Sequence, residues 1–382
     1  MGGGAVLLLQ FLQSLPAARP SWEWIVYLLP PKARQFEDIA IPTELRIEHV
    51  RSGDSSVGRL LWLHQELPSR LKAERVDALL SFANVALPRP PVPQVVYVHQ
   101  LLAFPPQGAP TGGFLATAQM NLLRRLIVRG ALASKSVIVQ TLGMRSRLEE
   151  SVPCLCGRVA VVPGCVSDIS PGASIRPEKR DMIDRLTGPR LLYVAHPAEH
   201  KNHRTLVRAM QIVLRDFPSA TLMLTLDLST SENGVRDRKY VADLQRLSGE
   251  LELGHRIAWL GRLNHAEVRY TLNRCTVAVF PSLEESFGLP IAEALVEGCA
   301  LAASDLAYAR DVAGPAAIYF DPLDPESIAS SLLRLLTQPE LINRLKQEAF
   351  LRAPRFEPTQ VAEQIAALLE AAATQSKSAH AT

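Results

Sequence analysis

Two carboxylates, Glu285 and Glu293, stand eight positions apart and enclose Phe287-Gly288-Leu289-Pro290. The chemistry of this segment follows from its residue types. The apolar run Thr276–Phe280 before it reads as a buried strand. The run after it, with Ile291, Ala292, Leu295 and Val296, reads as a helix that stops at Gly298. Pro290 suits a first-turn position, because its fixed φ fits and its missing N–H would have no partner there. The unit is therefore strand, tight loop, helix N-terminus. Free N–H groups at such an end attract anions, and Gly288 lets a ligand approach the backbone closely. A carboxylate is an acceptor only, and can take two O–H donors from a vicinal diol. Amides for an anion beside carboxylates for hydroxyls suit a nucleotide sugar.

In a parallel sheet, ligands collect at the carboxyl ends of strands. The strand ending at Ala195 is followed by His196-Pro-Ala-Glu-His200-Lys201-Asn202-His203 and then a helical pattern. This loop and the Glu285 loop both sit at strand ends and can face one ligand. Lys201 would neutralise charge building on a diphosphate leaving group. The bland alternative for Lys201 is a solvated surface charge. His196, His200 and His203 could suggest a metal cluster, but no Cys accompanies them, and no metal site is expected. Arg262 follows Gly261 at another predicted strand end, and could touch the diphosphate or the base, or be a surface charge.

The run Glu285-Ser-Phe-Gly-Leu-Pro-Ile-Ala-Glu293 resembles the E-x7-E signature of retaining glycosyltransferases of the GT-B fold, family 4. The resemblance continues through Gly298, Ala303-Ser304-Asp305 and Asp311–Pro322. It implies two doubly wound, Rossmann-like α/β domains facing each other across a cleft, with the donor held by the second. It implies that Phe287, Gly288 and Leu289 hold the diphosphate by their amides, Glu293 the ribose hydroxyls and Glu285 a sugar hydroxyl. It places an Arg and a Lys in the loop after the second domain's first strand. Lys201 matches the Lys, whereas His196 stands at the Arg position, without the guanidinium fork. In the first domain, Val95–Val98 leads to His99, which the resemblance assigns to the transferring sugar; Gln100 replaces the family's usual Asp. A hydrogen-bonded His capping a strand is the plainer account of His99. Gly2-Gly3-Gly4 resembles the family's glycine-rich loop near the phosphates or the acceptor, which would give Gly3 and Gly4 a binding role.

The implied reaction moves a sugar from a nucleoside-diphosphate sugar to an acceptor hydroxyl, on a carbohydrate or a lipid-linked acceptor. The habits of the family point to bacterial polysaccharide or glycolipid synthesis. Lys201 and the helix amides would neutralise the diphosphate, so no cofactor or divalent ion is expected. Alternatives on the same fold are a catalytically impaired binding or scaffold protein and a sugar-nucleotide epimerase. Two carboxylates could also serve a glycosidase, but the phosphate-suited backbone between them argues against it.

Composition sets wider bounds. The chain of 382 residues can form two full cores. Its net charge of +3 gives no case for nucleic acid. Five cysteines, at 154, 156, 165, 275 and 299, make no zinc-type double pair, and their odd count suits a reduced cytoplasm. No apolar stretch is long enough to span a bilayer, and the apolar start carries no preceding Lys or Arg, which speaks against a secretion signal. A cytoplasmic protein is expected, at the inner face of the membrane if the acceptor is lipid-linked. Arg124, Arg125, Arg129 and Lys135 among Leu, Ile and Val could dock on anionic lipid, or form a solvated helix face.

Apolar runs alternate with helical patterns along most of the chain. Strands are predicted at 24–29, 44–49, 76–82, 94–99, 135–140 and 158–162, and in a second series at 190–195, 220–226, 256–261, 276–280, 300–303 and 316–320. Helices are predicted at 202–216 and 265–274, among others. This rhythm argues for parallel sheets covered by helices. The expected domains are 1–168, 169–355 and a final helix from 356 that returns to the first domain. Ser167–Arg180, with Pro171, Gly172 and Pro177, reads as the linker, and Thr374–Thr382 as a frayed tail. Because glycines follow the initiator directly, the family's first strand has no residues, and the neighbouring strands are expected to lack a partner.

Overall fold

A computed structural model describes residues 3–29, 42–50, 55–82, 84–100, 104, 114–167, 174–227 and 235–379. Gly2 and residues 168–173 of the expected linker lie outside these. The chain divides into two compact units, one of Met1–Ser167 with Arg355–Thr382, the other of Asp168–Pro354.

Among the described residues twelve strands occur where the apolar runs place them. In the first unit they are β1 (Trp24–Leu28), β2 (Leu45–His49), β3 (Leu79–Ser81), β4 (Gln94–Tyr97), β5 (Ser136–Val139) and β6 (Val159–Val161). In the second they are β7 (Arg190–Tyr193), β8 (Thr221–Leu224), β9 (Ile257–Trp259), β10 (Val277–Phe280), β11 (Leu301–Ser304) and β12 (Ala317–Phe320). Every strand pair is parallel.

The second unit has one six-stranded sheet in the order β12-β11-β10-β7-β8-β9. β8, β10 and β11 are buried at every position, which is why they read as unbroken apolar runs rather than alternating ones. The chain starts in the middle at β7, builds outward through β8 and β9, then returns to the other side of β7 with β10. The switch point of this doubly wound sheet lies between β7 and β10. The loops that follow those two strands carry Lys201 and Glu285.

In the first unit the strands form two sheets, β1-β2 and β3-β4-β5-β6. Among the described residues no pairing joins β1 to β3. Both sheets nevertheless share one apolar layer, in which Phe11, Leu12 and Leu15 meet Leu45, Val95, Tyr97 and Ile138. The final helix, Pro358–Ala379, belongs to this layer through Val361, Ile365 and Leu369. It continues past Thr374, so the expected frayed tail is helical as far as Ala379. A second correction concerns Gly3 and Gly4. They do not form a loop but open the helix Gly3–Ala18, whose apolar run carries the helical hydrogen bonding back to them.

Candidate functional site

The site in the second unit is assembled from three strand-end loops. After β7 the chain makes a single 3-10 turn, Glu199–Lys201, and then Asn202 adopts the left-handed conformation, φ 57° and ψ 34°. Asn is one of the few residues that tolerate this region. The reversal lets the helix His203–Asp216 begin at once, and it turns the Asn202 side chain inward. There Nδ2 donates to the Pro281 carbonyl (3.0 Å) and the Pro322 carbonyl (2.6 Å), while Oδ1 accepts from Thr205 Oγ1 (2.6 Å). The loops after β7, β10 and β12 are thus pinned by one amide.

Two tyrosines complete the lock. Tyr193 donates to the Lys201 carbonyl at 2.8 Å, and its hydroxyl also lies 2.8 Å from Ser282 Oγ. Tyr308 donates to the Ser282 carbonyl at 2.8 Å. The Leu283 amide donates to the His200 carbonyl, again at 2.8 Å. The buried hydroxyls of Tyr193, Ser282 and Tyr308 thus all have partners, as burial requires.

On this frame Lys201 and Glu285 meet. Nζ lies 2.5 Å from Oε1, and the two side chains are 8% and 17% exposed. A charged pair withdrawn this far from water needs close hydrogen bonding to persist. Beyond Glu285 the chain reaches Phe287, which is buried, and Gly288, whose φ of 84° only glycine adopts readily. A Cβ built on Gly288 would lie 3.3 Å from Ile291 Cδ1 and 3.4 Å from Tyr308 Cδ2. Gly288 caps the helix Leu289–Val296, with Pro290 in its first turn. In its first turn Ile291 and Ala292 donate to the Gly288 carbonyl and Pro290 has no N–H, which leaves the Leu289 amide without an acceptor in the helix.

Glu293, one turn into that helix, has a side chain only 12% exposed. Among the described residues no hydrogen bond reaches its carboxylate; His265 Nδ1 stands 3.8 Å away. Burial, and secondarily the charge of Glu297, raise its pKa to about 7. Apart from the approach of His265, its lone pairs are unoccupied among the described residues, so the group can accept hydroxyls.

The histidines after β7 occupy different surroundings. His203 is fully buried, with Nδ1 3.2 Å from the Tyr240 hydroxyl, and burial lowers its pKa to about 3. His196 is partly buried, and its ring centroid is 5.9 Å from that of His200. Burial first, then Lys201 and His200, hold His196 below the usual imidazole range, so it is neutral at pH 7. The positive charge of this loop therefore rests on Lys201.

Arg262, in the loop after β9, is exposed, and its carbonyl accepts from Arg176 Nη2 at 2.8 Å. His265, which opens the helix after this loop, is the residue that approaches Glu293. Sequence reasoning missed it, since a His opening a helix pattern carries no signal of its own. Asn202 was missed for a related reason: its left-handed turn depends on carbonyls 79 and 120 residues away.

The other expected residues lie in the first unit. His99 follows β4; its Nε2 is 2.8 Å from the Phe82 carbonyl, and its amide donates to Asn84 Oδ1 at 2.7 Å. Its ring packs against Phe82 and Tyr97. This is the hydrogen-bonded histidine at a strand end that its sequence position also allowed. Gly3 and Gly4 open the first helix.

Comparison with known proteins agrees with this geometry. Residues 176–352 match the family described as glycosyl transferases group 1. The O-antigen chain mannosyltransferase RfbU of Salmonella typhimurium (strain LT2) is 28% identical over 105 residues, 28% of this chain and 30% of that one. The chain spans between 12% and 36% of the length of the curated relatives it matches. Among solved structures, sucrose-phosphate synthase from Thermosynechococcus elongatus superposes with a TM-score of 0.71 at 19% identity, covering 96% of this chain and 92% of that one. HepE of Anabaena, in complex with UDP, gives 0.72 at 16% identity, covering 97% and 96%. These likenesses show the fold, which is that of GT-B glycosyltransferases. The matched residues, 176–352, include the Lys201 loop, the Glu285–Glu293 segment and the switch point between them, and it is this part of the chain that is similar to the glycosyl transferases group 1 family.

Proposed function

We propose that the protein is a retaining glycosyltransferase that moves a sugar from a nucleoside-diphosphate sugar to an acceptor hydroxyl in bacterial polysaccharide or glycolipid synthesis. The observation that carries this reading is the buried Lys201–Glu285 pair beside the N-terminus of the helix Leu289–Val296, with the unpartnered Glu293 one turn further on. The relatives support it by their names: RfbU is an O-antigen chain mannosyltransferase, and HepE was solved with UDP.

In this reading the diphosphate lies on the amides near Phe287, Gly288 and Leu289. Its negative charge competes with Glu285 for Lys201. The Lys201 ammonium, drawn toward the diphosphate, stabilises the oxygen that gains charge as the bond to the sugar breaks. Glu285, released from Lys201, accepts a sugar hydroxyl. Glu293 accepts the ribose hydroxyls, which restores the hydrogen bonds its burial removed. Neutral His196 serves as a hydrogen-bond partner rather than a second cation. The resemblance assigns His99 to the transferring sugar, Arg262 to the diphosphate or base, and Gly3 and Gly4 to phosphate or acceptor; these roles are part of the proposal. So are independence from divalent ions, a carbohydrate or lipid-linked acceptor, and work at the cytoplasmic face of a membrane. No helix among the described residues is long and apolar enough to cross a membrane.

The test is a panel of nucleoside-diphosphate sugars carrying mannose or glucose, with and without chelator. Release of free nucleoside diphosphate, unchanged by chelator, is expected. Silence across the panel, with nucleotide binding retained, would favour a binding or scaffold protein instead.

A further inference from the structure

Cys275 and Cys299 lie 24 positions apart in sequence yet share one acceptor. Cys275 Sγ donates to the Leu272 carbonyl at 3.2 Å, and Cys299 Sγ donates to the same oxygen at 3.3 Å. Cys275 precedes β10 and Cys299 precedes β11, and these strands pair in parallel with Ala278 opposite Leu301. Because both Sγ atoms contact one carbonyl oxygen, the two side chains converge from the two segments, as a disulfide requires. Cys275 is partly exposed and Cys299 buried, so one thiol can be reached from solvent and the other is held behind it.

The surroundings give the pair a mechanical meaning. The residues between the two cysteines are β10, the Glu285 loop and the helix Leu289–Val296, the whole of the Glu285–Glu293 segment. The ends of that segment are already tied by polar contacts. Glu297, just before Cys299, accepts from Arg269 Nε at 2.6 Å and from Asn273 Nδ2. Arg269 and Asn273 belong to the helix His265–Leu272 and its C-cap, which end just before Cys275.

We propose that Cys275 and Cys299 are a site of reversible oxidation, closed by a low-molecular-weight disulfide of the glutathione type, and that the bond clasps the two ends of the Glu285–Glu293 segment. The Cys275 thiolate attacks one sulfur of glutathione disulfide, forms a mixed disulfide and releases one glutathione thiolate. Cys299 then gives its proton to solvent, attacks Cys275 Sγ and expels the second glutathione. Two protein thiols are oxidised by two electrons in all, and one glutathione disulfide is reduced to two thiols. The neighbouring Cys275 thiol and then burial hold the Cys299 thiol well above its usual range, with Lys346 pulling the other way. The closed loop loses conformational freedom in the unfolded chain, which stabilises the folded unit.

The experiment incubates the full chain with reduced and oxidised glutathione at graded ratios, quenches with an alkylating agent and maps peptides by mass spectrometry. A Cys275–Cys299 cross-linked peptide, two hydrogens lighter than the reduced pair and reversed by dithiothreitol, is expected. The thermal midpoint should rise on oxidation. Cys275→Ser, which keeps a donor for the Leu272 carbonyl, should lose both effects, and a Cys154→Ser, Cys156→Ser double variant should keep both. Independent glutathionylation or free thiols at 275 and 299 would overturn the proposal. So would a midpoint that stays put or falls when the cross-link forms, or a rise that survives in Cys275→Ser.

Discussion

Lys201 Nζ lies 2.5 Å from Glu285 Oε1, across 84 residues of sequence. The pair joins the loop after β7 to the loop after β10, at the point where the sheet reverses its strand order. Each charge neutralises the other in a place with little water. That makes the pair a switchable element: any anion that draws Lys201 away frees Glu285 to accept a hydroxyl. A diphosphate and a sugar hydroxyl arriving together would satisfy both groups at once.

Lys201→Ala tests this coupling. It removes the cation and leaves Glu285 without its partner. Turnover, read as nucleoside-diphosphate release, should fall by roughly 10²–10³-fold, the size seen when one charge-stabilising group is removed. Donor affinity, read by calorimetry, should fall much less. Equal losses in the two measurements would make Lys201 a simple binding residue.

The carboxylate of Glu293 gives a pH signature. Its folded pKa of about 7 is above the ordinary 4.5, so the folded state prefers the protonated form. The sign follows directly. Stability is greatest below about pH 4.5, declines as pH rises toward 7, and levels off above it, a change on the order of 3 kcal/mol. Glu293→Gln should flatten that part of the stability profile in urea melts at pH 5 and pH 8. A ligand diol prefers the ionised carboxylate, so nucleoside-diphosphate affinity of the wild type should weaken as pH falls below about 7. The variant should bind weakly at both pH values; strong, pH-independent binding to it would detach Glu293 from the ribose.

How much of this was legible in the sequence depends on the distance over which each feature is decided. The strands β8, β10 and β11 announced themselves because parallel strands buried on both faces read as apolar runs. Gly288 and Pro290 also follow from local rules, one for a positive φ and one for a first helical turn. The meeting of Lys201 with Glu285 required one more step, that strand ends of one sheet gather around a ligand. The features missed are those set by remote partners. Asn202 looked like an ordinary neighbour of Lys201 until the carbonyls of Pro281 and Pro322 gave its amide a purpose. His265 acquires meaning only from Glu293, and Cys275 only from Cys299, whose register no local pattern encodes. Gly3 and Gly4 misled in the opposite way. A glycine run suggests a loop by propensity, but a helix packed into the core overrides weak propensity.

Asn202→Asp isolates the amide that pins the three loops. Asp tolerates the left-handed conformation, so the backbone turn stays accessible. The substitution replaces two N–H donors by a charged acceptor facing the Pro281 and Pro322 carbonyls. Both carbonyls are left without that partner, at a cost of about 3 kcal/mol. Asn202→Gly keeps the turn and removes the donors without adding a charge, so it should cost less than Asp. Denaturant midpoints for the two variants order them. If Asp were as stable as the wild type, the pinning role would be wrong.

His196→Arg addresses the departure from the family's Arg-and-Lys pair. Burial, with Lys201 and His200 adding to it, keeps His196 neutral at pH 7. In the proposed reaction the wild type would thus meet the leaving group with one cation from this loop. An arginine stays charged at any working pH and offers a planar fork that fits a phosphate with two parallel hydrogen bonds. Glu285, whose charge already favours a cation at position 196, would help hold it. The variant should bind nucleoside diphosphate more tightly and release it from donor faster, by roughly tenfold for one added charge-assisted contact. The wild-type rate should rise below neutral pH if His196 gains a proton there, whereas the Arg variant should show no such rise. A slower variant that still binds nucleotide would mean that the neutral imidazole has its own task at this position.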